Sequence, residues 1–202
     1  MEKMCFIVGA SKESQVDFSY NNNDLIIASD AGYLFLKEHN YRIDLVVGDF
    51  DSLGYKPNEE NIVLLPKIKD ITDTHRAILE GLEKGYKNFA LVGCLYGKIE
   101  HTLANIQELK FIKDHNANAS ILSKNRTITI LKNEKIELER EKSLISIFSF
   151  GEAKGVYLSN LKYELNDATI TDSFPLGVSN EFINKKATIR VDDGYLLVVY
   201  QN

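Results

Sequence analysis

The carboxylates of this chain recur at the ends of apolar runs. The most informative stretch is Asp44-Leu-Val-Val-Gly-Asp-Phe-Asp-Ser52, in which a short hydrophobic run ends at Gly48 and is followed by Asp49 and Asp51. Residues two apart in an extended chain point to one side. Asp49 and Asp51 are therefore expected to converge beyond the C-terminal end of a strand, where open α/β sheets bind ligands. Two carboxylates about 5 Å apart repel by about 3 kcal/mol at an effective dielectric of about 20. A divalent cation relieves that repulsion, and hard oxygen donors with retained waters suit Mg2+. The bland alternative is a polar turn in which Asp51-Ser52 caps a short helix.

Three further segments carry polar groups at similar junctions. Asp30 closes the run Leu-Ile-Ile-Ala-Ser-Asp and precedes Ala31-Gly32, where backbone can approach a ligand closely. Asp70 and Asp73 stand in Lys-Asp-Ile-Thr-Asp-Thr-His, just before a helical pattern. There Thr72 or Asp73 serves equally well as a helix cap. Gly93-Cys-Leu-Tyr-Gly97-Lys98-Ile-Glu100-His101 follows the run Phe-Ala-Leu-Val. A strand, a glycine loop and a helix start make an anion site, although the GxxxxGK[ST] phosphate loop is absent. His101 fits a packed core histidine as well as a ligand-facing one.

These residues need a scaffold that brings strand ends together. Met4–Val8, Leu25–Ala28, Leu45–Val47, Ile62–Leu65, Phe89–Val92 and Ala119–Leu122 are brief, nearly continuous apolar runs, as expected of strands buried on both faces of a parallel sheet. Ala77, Ile78, Leu82 and Tyr86 recur at helical spacing, as do Leu103, Ile106, Leu109 and Phe111 with Ile112. The alternation predicts an α/β unit with right-handed crossovers. From about Asn125 the texture changes to RTITILK, SLISIFSF, ATIRV and YLLVVY, separated by Asn-Glu, Gly-Glu, Asn-Asp and Asp-Asp-Gly. That pattern predicts antiparallel strands joined by tight turns. The expected boundary lies at 124/125, with an α/β domain first and an all-β domain after it. A β unit of about 75 residues is marginal alone and is expected to pack on its neighbour or on a second subunit.

Composition narrows the classes. The 202 residues carry 24 Lys+Arg against 29 Asp+Glu, a formal charge of −5, which disfavours a protein that coats nucleic-acid phosphates. Cys5 and Cys94 lie far apart inside apolar runs, a use of cysteine that fits core packing in a reducing compartment. No run reaches the 18 or so apolar residues of a membrane span, and MEKMCFIVGA is too short in apolar residues for a signal peptide. A cytoplasmic protein that touches neither membrane nor nucleic acid is expected.

Taken in order, SDAG at 29–32, DLVVGDFDS at 44–52, KDITDT at 69–74, GKIEHTLANI at 97–106, LKYEL at 161–165, LGVSNEF at 176–182 and a closing DGYLLVVY resemble the thiamin pyrophosphokinase family across nearly the whole chain. The resemblance implies a Rossmann-like parallel-sheet domain over 1–124 that binds ATP and Mg2+ and carries catalysis, then a β-sandwich thiamin-binding domain over 125–202. It also implies a homodimer with the thiamin pocket near the subunit interface. The implied reaction moves a pyrophosphoryl group from ATP to the hydroxyethyl oxygen of thiamin, giving thiamin diphosphate and AMP.

By the same resemblance Asp49, Asp51 and Asp73 hold the metal and phosphates, with Asp30 and Thr72 supporting that edge. Lys98, Glu100 and His101 face the phosphates or the thiamin alcohol, and Glu100 or Asp73 accepts the alcohol proton. Tyr163, Ser179 and Asn180 build the thiamin pocket. Three positions depart from the family pattern. Lys98 and Glu100 stand where Arg and Asp are usual, which removes a bidentate fork and adds a methylene. Tyr163 replaces the usual Trp, so a cationic heterocycle gains less from the ring face. Two other functions use parts of the same pattern. They are a non-catalytic thiamin- or nucleotide-binding protein, and a Mg2+-dependent nucleotide phosphohydrolase without the Ser-Asn pocket.

Overall fold

The computed structural model describes residues 2–66, 68, 70–139 and 143–202. Lys69, the first residue of the KDITDT motif, lies outside the described residues. The chain divides into two compact units, Met1–Lys124 and Asn125–Asn202.

In the first unit the apolar runs form a parallel sheet: β1 (Met4–Val8), β2 (Leu25–Ser29), β3 (Leu45–Gly48), β4 (Ile62–Leu64), β5 (Asn88–Val92) and β6 (Asn118–Leu122). Their order is β4-β3-β2-β1-β5-β6. Successive strands run outward from β1 in one direction, and β5 and β6 run in the other. The order therefore reverses between β1 and β5, and that is where a crevice opens at the strand C-termini. Helices α1 (Gly32–Glu38), α2 (Asp73–Glu83) and α3 (Ile99–Asp114) pack on the sheet. Alternate strand residues serve opposite faces. Phe6, Val8, Ile26, Ala28, Val46, Ala90 and Val92 meet α1 on one side.

No helix links β1 to β2; a single 3-10 turn, Lys12–Ser14, is followed by extended chain. Aromatic rings cover the sheet in its place. Phe18 stacks on Phe6 at 4.4 Å and on Tyr41 at 4.5 Å, and the Tyr41 hydroxyl accepts a hydrogen bond from the Phe18 N–H at 3.0 Å.

Helix α3 differs from expectation in phase. It buries Asn105, Glu108, Leu109 and Ile112, while Leu103, expected in the core, is 59% exposed. Polar residues take those inward places because each finds a partner. Asn105 Nδ2 donates to the Cys94 carbonyl at 2.9 Å, and Glu108 pairs with His75.

The second unit is a sandwich of two antiparallel sheets. One has the order β12 (Asn180–Glu181), β9 (Leu144–Ser149), β14 (Tyr195–Gln201), β7 (Arg126–Lys132). The other runs β11 (Leu165–Thr171), β10 (Glu152–Ser159), β13 (Lys186–Arg190), β8 (Lys135–Glu139). Leu131, Ile145, Ile147, Leu196 and Val198 from the first share a core with Ala153, Val156, Leu158, Ile170, Ala187 and Ile189 from the second. The Asn166-Asp167 pair, expected as a turn, lies inside β11 instead. Asp167 takes a left-handed φ of +53° beside the register shift between Val156 and Leu158, so the pair makes a bulge rather than an end.

Candidate active site

The strand ends of the first unit surround a cavity of about 680 Å³. Ser29 and Asp30 come from the end of β2, Asp49 from the end of β3, and Gly93, Cys94 and Leu95 from the end of β5. Asp70 to Thr74 bring the start of α2, and Gly97, Lys98, His101, Thr102 and Asn105 bring the start of α3.

Backbone packing at the reversal point is close. A Cβ on Gly93, whose φ is +68°, would sit 2.4 Å from the Gly9 carbonyl oxygen, and a Cβ on Gly32 would sit 1.8 Å from that of Val8. Only glycine fits such approaches, which is why two strands and the start of α1 can meet there.

The two helix starts are finished differently. Thr72 caps α2, its side chain accepting from the His75 N–H at 3.0 Å, so the capping reading of Thr72 holds while it also lines the cavity. Lys98 takes the N-cap position of α3 without any side-chain cap bond. The first-turn N–H groups of a helix carry partial positive charge, and here Lys98 stands beside them. Glu100 is exposed and outside the lining, whereas Lys98 and His101 are in it.

The segment after β3 corrects one expectation. Asp49 and Asp51 do not follow an extended path, because Phe50 between them has a φ of +61° and is buried. The Asp49 carboxylate turns back to accept the Asp51 N–H at 3.2 Å. Asp49 lines the cavity, while Asp51 is exposed and outside the lining. A buried aromatic anchor thus replaces the alternation assumed from strand geometry.

Asp30 is held in a left-handed conformation, φ +49°, with its N–H on the Val47 carbonyl at 2.8 Å. Its Oδ2 accepts from the Ser52 hydroxyl, and its Oδ1 is buried with no hydrogen-bond partner among the described residues.

Among the described residues no three His, Cys, Asp or Glu side chains are gathered closely enough to cage a metal ion by themselves. Small hard cations such as Mg2+ are commonly held by one or two carboxylates and complete their shell with water and substrate phosphates. Four aspartates in the lining, one with an unsatisfied buried oxygen, fit a cation held in that way.

Sequence reasoning missed the loop after β1. Gly9, Ala10 and Ser11 line the cavity, and the Ser11 hydroxyl donates to the Leu95 carbonyl. The same Leu95 carbonyl accepts from Ser14 Oγ at 2.9 Å. A glycine closing an apolar run is the signal that marked Gly48 and Gly93, and Gly9 carries it too.

In the second unit Asn180 is 2% exposed and both ends of its amide are engaged. Its Oδ1 accepts the Tyr163 N–H at 3.0 Å and its Nδ2 donates to the Tyr163 carbonyl at 2.7 Å. Asn180 therefore clips the backbone that presents Tyr163, whose ring is 61% exposed. Ser179, with a φ of +56°, is exposed and donates its N–H to Ser146 Oγ at 2.9 Å.

Comparisons with known proteins agree across both units. Residues 17–121 match the family model described as thiamin pyrophosphokinase, catalytic domain, and residues 127–196 match thiamin pyrophosphokinase, vitamin B1 binding domain. The thiamine pyrophosphokinase of Bacillus subtilis (strain 168) is 26% identical over 210 residues, covering 98% of each chain. Thiamin pyrophosphokinase 1 of Caenorhabditis elegans is 23% identical, covering 72% of this chain and 65% of that protein. The crystal structure of the Bacillus subtilis protein superposes with a TM-score of 0.87 at 24% identity, over 100% of this chain and 99% of that one. Thiamin pyrophosphokinase from Candida albicans gives 0.80 at 12% identity, over 100% and 90%. With catalytic and vitamin-binding regions matched in order along the chain, this protein belongs to the thiamin pyrophosphokinase family.

Proposed function

We propose that this protein transfers the β,γ-pyrophosphoryl group of ATP to the hydroxyethyl oxygen of thiamin, forming thiamin diphosphate and AMP. The observation that carries the reading is the single cavity that gathers Asp30, Asp49, Asp70 and Asp73 with Lys98 and His101 at the strand C-termini. Transfer needs alignment of the two oxygens about phosphorus and neutralisation of charge, with little covalent work by the protein. The alcohol oxygen forms a bond to the β-phosphorus, the bond from that phosphorus to the α,β-bridging oxygen breaks, and AMP leaves with the electron pair.

Asp49 and Asp73, which both line the cavity, are assigned to a divalent cation, taken as Mg2+; Asp51, the third carboxylate the family pattern implied, is exposed and outside the lining. The cation, when bound, offsets phosphate charge and polarises the phosphorus–oxygen bond. Lys98 and the uncapped start of α3 meet the phosphate oxygens. Of the two carboxylates offered as proton acceptor, Asp73 lines the cavity and Glu100 does not, which favours Asp73. Tyr163 offers its face to the cationic thiazolium, held out by Asn180.

The same reading makes the protein a cytoplasmic homodimer with thiamin near the subunit interface. Ile99 and Leu103, 75% and 59% exposed and one turn apart on α3, supply apolar surface for such an interface. Sedimentation analysis tests it. One assay tests the reaction: protein, ATP, Mg2+ and thiamin, with AMP and thiamin diphosphate followed together. AMP that forms only with thiamin supports transfer. Phosphate release without thiamin would mark a phosphohydrolase, and binding without product a non-catalytic binder.

A further inference from the structure

The carboxylate plane of Asp turns readily, since the terminal torsion is broad and two-fold. At Asp30 a hydrogen bond restricts that turning. The Ser52 hydroxyl donates to Oδ2, while Oδ1 stays buried and without a hydrogen-bond partner among the described residues. Ser52 reaches Asp30 because the chain folds back after β3. Phe50 adopts φ +61° and is buried, and its carbonyl accepts the N–H groups of Leu53 and Gly54, both at 3.1 Å. The backbone at Asp30 is itself left-handed, φ +49°, a conformation that surrounding structure must impose and that is often found at functional sites. Asp30 lines the cavity; Ser52 does not, and it is exposed.

We propose that Ser52 is a positioning residue: by engaging one oxygen it holds the plane of the Asp30 carboxylate, so that the other oxygen is kept for the cation-binding edge of the cavity. This rests on the phosphoryl-transfer reading above. Groups that orient a metal-binding carboxylate typically change metal affinity or activity by about 10–100-fold when removed. A residue that merely decorates the surface changes neither.

The test compares wild type with Ser52→Ala and Ser52→Thr. Mn2+ is titrated in the presence of a non-hydrolysable ATP analogue, with free Mn2+ read by electron paramagnetic resonance, and kcat and KM are measured for thiamin and for metal–ATP. Ser52→Ala is expected to weaken Mn2+ binding and lower kcat, each by about tenfold, with KM for thiamin unchanged. Ser52→Thr keeps the hydroxyl and is expected to stay within about threefold of wild type. Wild-type Mn2+ affinity in Ser52→Ala overturns the inference, as does a Thr variant as impaired as the Ala variant. Circular dichroism verifies that both variants fold. A wild type that makes no thiamin diphosphate overturns the functional reading instead, and the Mn2+ titrations still decide the role of Ser52.

Discussion

His75 Nδ1 lies 2.9 Å from Glu108 Oε2, joining the first turn of α2 to the middle of α3. The Phe111 ring packs 4.6 Å from the imidazole, and Glu108 is 9% exposed. Both helices bring residues to the cavity, so this contact braces its two sides. A buried polar group that loses its partner costs about 1–3 kcal/mol. Glu108→Ala is expected to destabilise the protein by that amount in urea unfolding. With His75→Ala, the double-mutant cycle should give a coupling of about 0.5–3 kcal/mol; additive effects would remove the brace.

Asp49→Asn and Asp73→Asn keep the size of each side chain and remove its charge. Each should lower kcat by about 10²–10³-fold if charge stabilisation at the phosphates is the task, with circular dichroism unchanged. A variant that loses only thiamin affinity would move that residue out of the phosphate site.

Tyr163 can be tested in both directions. Lys162 Nζ stands 5.7 Å from its ring centroid and is held by Glu181 at 3.2 Å, so one cation already lies near the ring. Trp offers a stronger cation-binding face than Tyr, and a whole cation–ring contact at an exposed site is worth about 0.5–1 kcal/mol. Tyr163→Trp should therefore lower KM for thiamin by less than about fivefold, and Lys162→Met should lower it by removing a like charge. Asn180→Ala is expected to raise it, because the clip on the Tyr163 backbone is lost. Steady-state kinetics over thiamin concentration reads all three.

Burial pushes the Cys94 thiol up to about 12, and burial, with a nearby Asp44 carboxylate, raises Cys5 further. Both are expected to resist alkylation by iodoacetamide in the folded protein at neutral pH and to react once unfolded.

Tyr33 is also raised, to about 12, by burial and by its hydrogen bond to Glu59. An unfolded tyrosine loses its proton near pH 10, so the Tyr33 contribution is whole below about pH 10. It is lost as pH rises toward about 12. Urea unfolding at about pH 9 and about pH 11 should show a smaller alkaline loss in Tyr33→Phe than in wild type.

The parallel strands were legible because residues buried on both faces leave unbroken apolar runs, and Met4–Val8 appears unchanged as β1. Four strands were not. Lys135–Glu139 alternates Ile and Leu with charge at a sheet edge, β10 and β11 are interrupted by register shifts beside Asn166-Asp167, which reads as a turn, and β12 has only two residues. The carboxylates of the cavity were legible as strand-end residues. What sequence alone withheld was conformation between neighbours: the left-handed Phe50 that parts Asp49 from Asp51, and the long-range partners that turn Asn105 and Glu108 inward. Local spacing carries no record of either.

In the second unit β14 pairs with β7 along one side and β9 along the other, so the last strand in chain order is central. Unit one has all its strands once residue 122 has been made. During synthesis it can fold while the rest of the chain is still being added, as leading domains generally do. The sandwich must wait until residues 195–201 have left the ribosome, and until then β7 and β9 expose unpaired edges. A nascent chain halted at Gly194 is thus expected to hold a protease-resistant first unit and a digestible remainder. In the interval between those two states the unpaired edges of β7 and β9 are open to pairing with another chain.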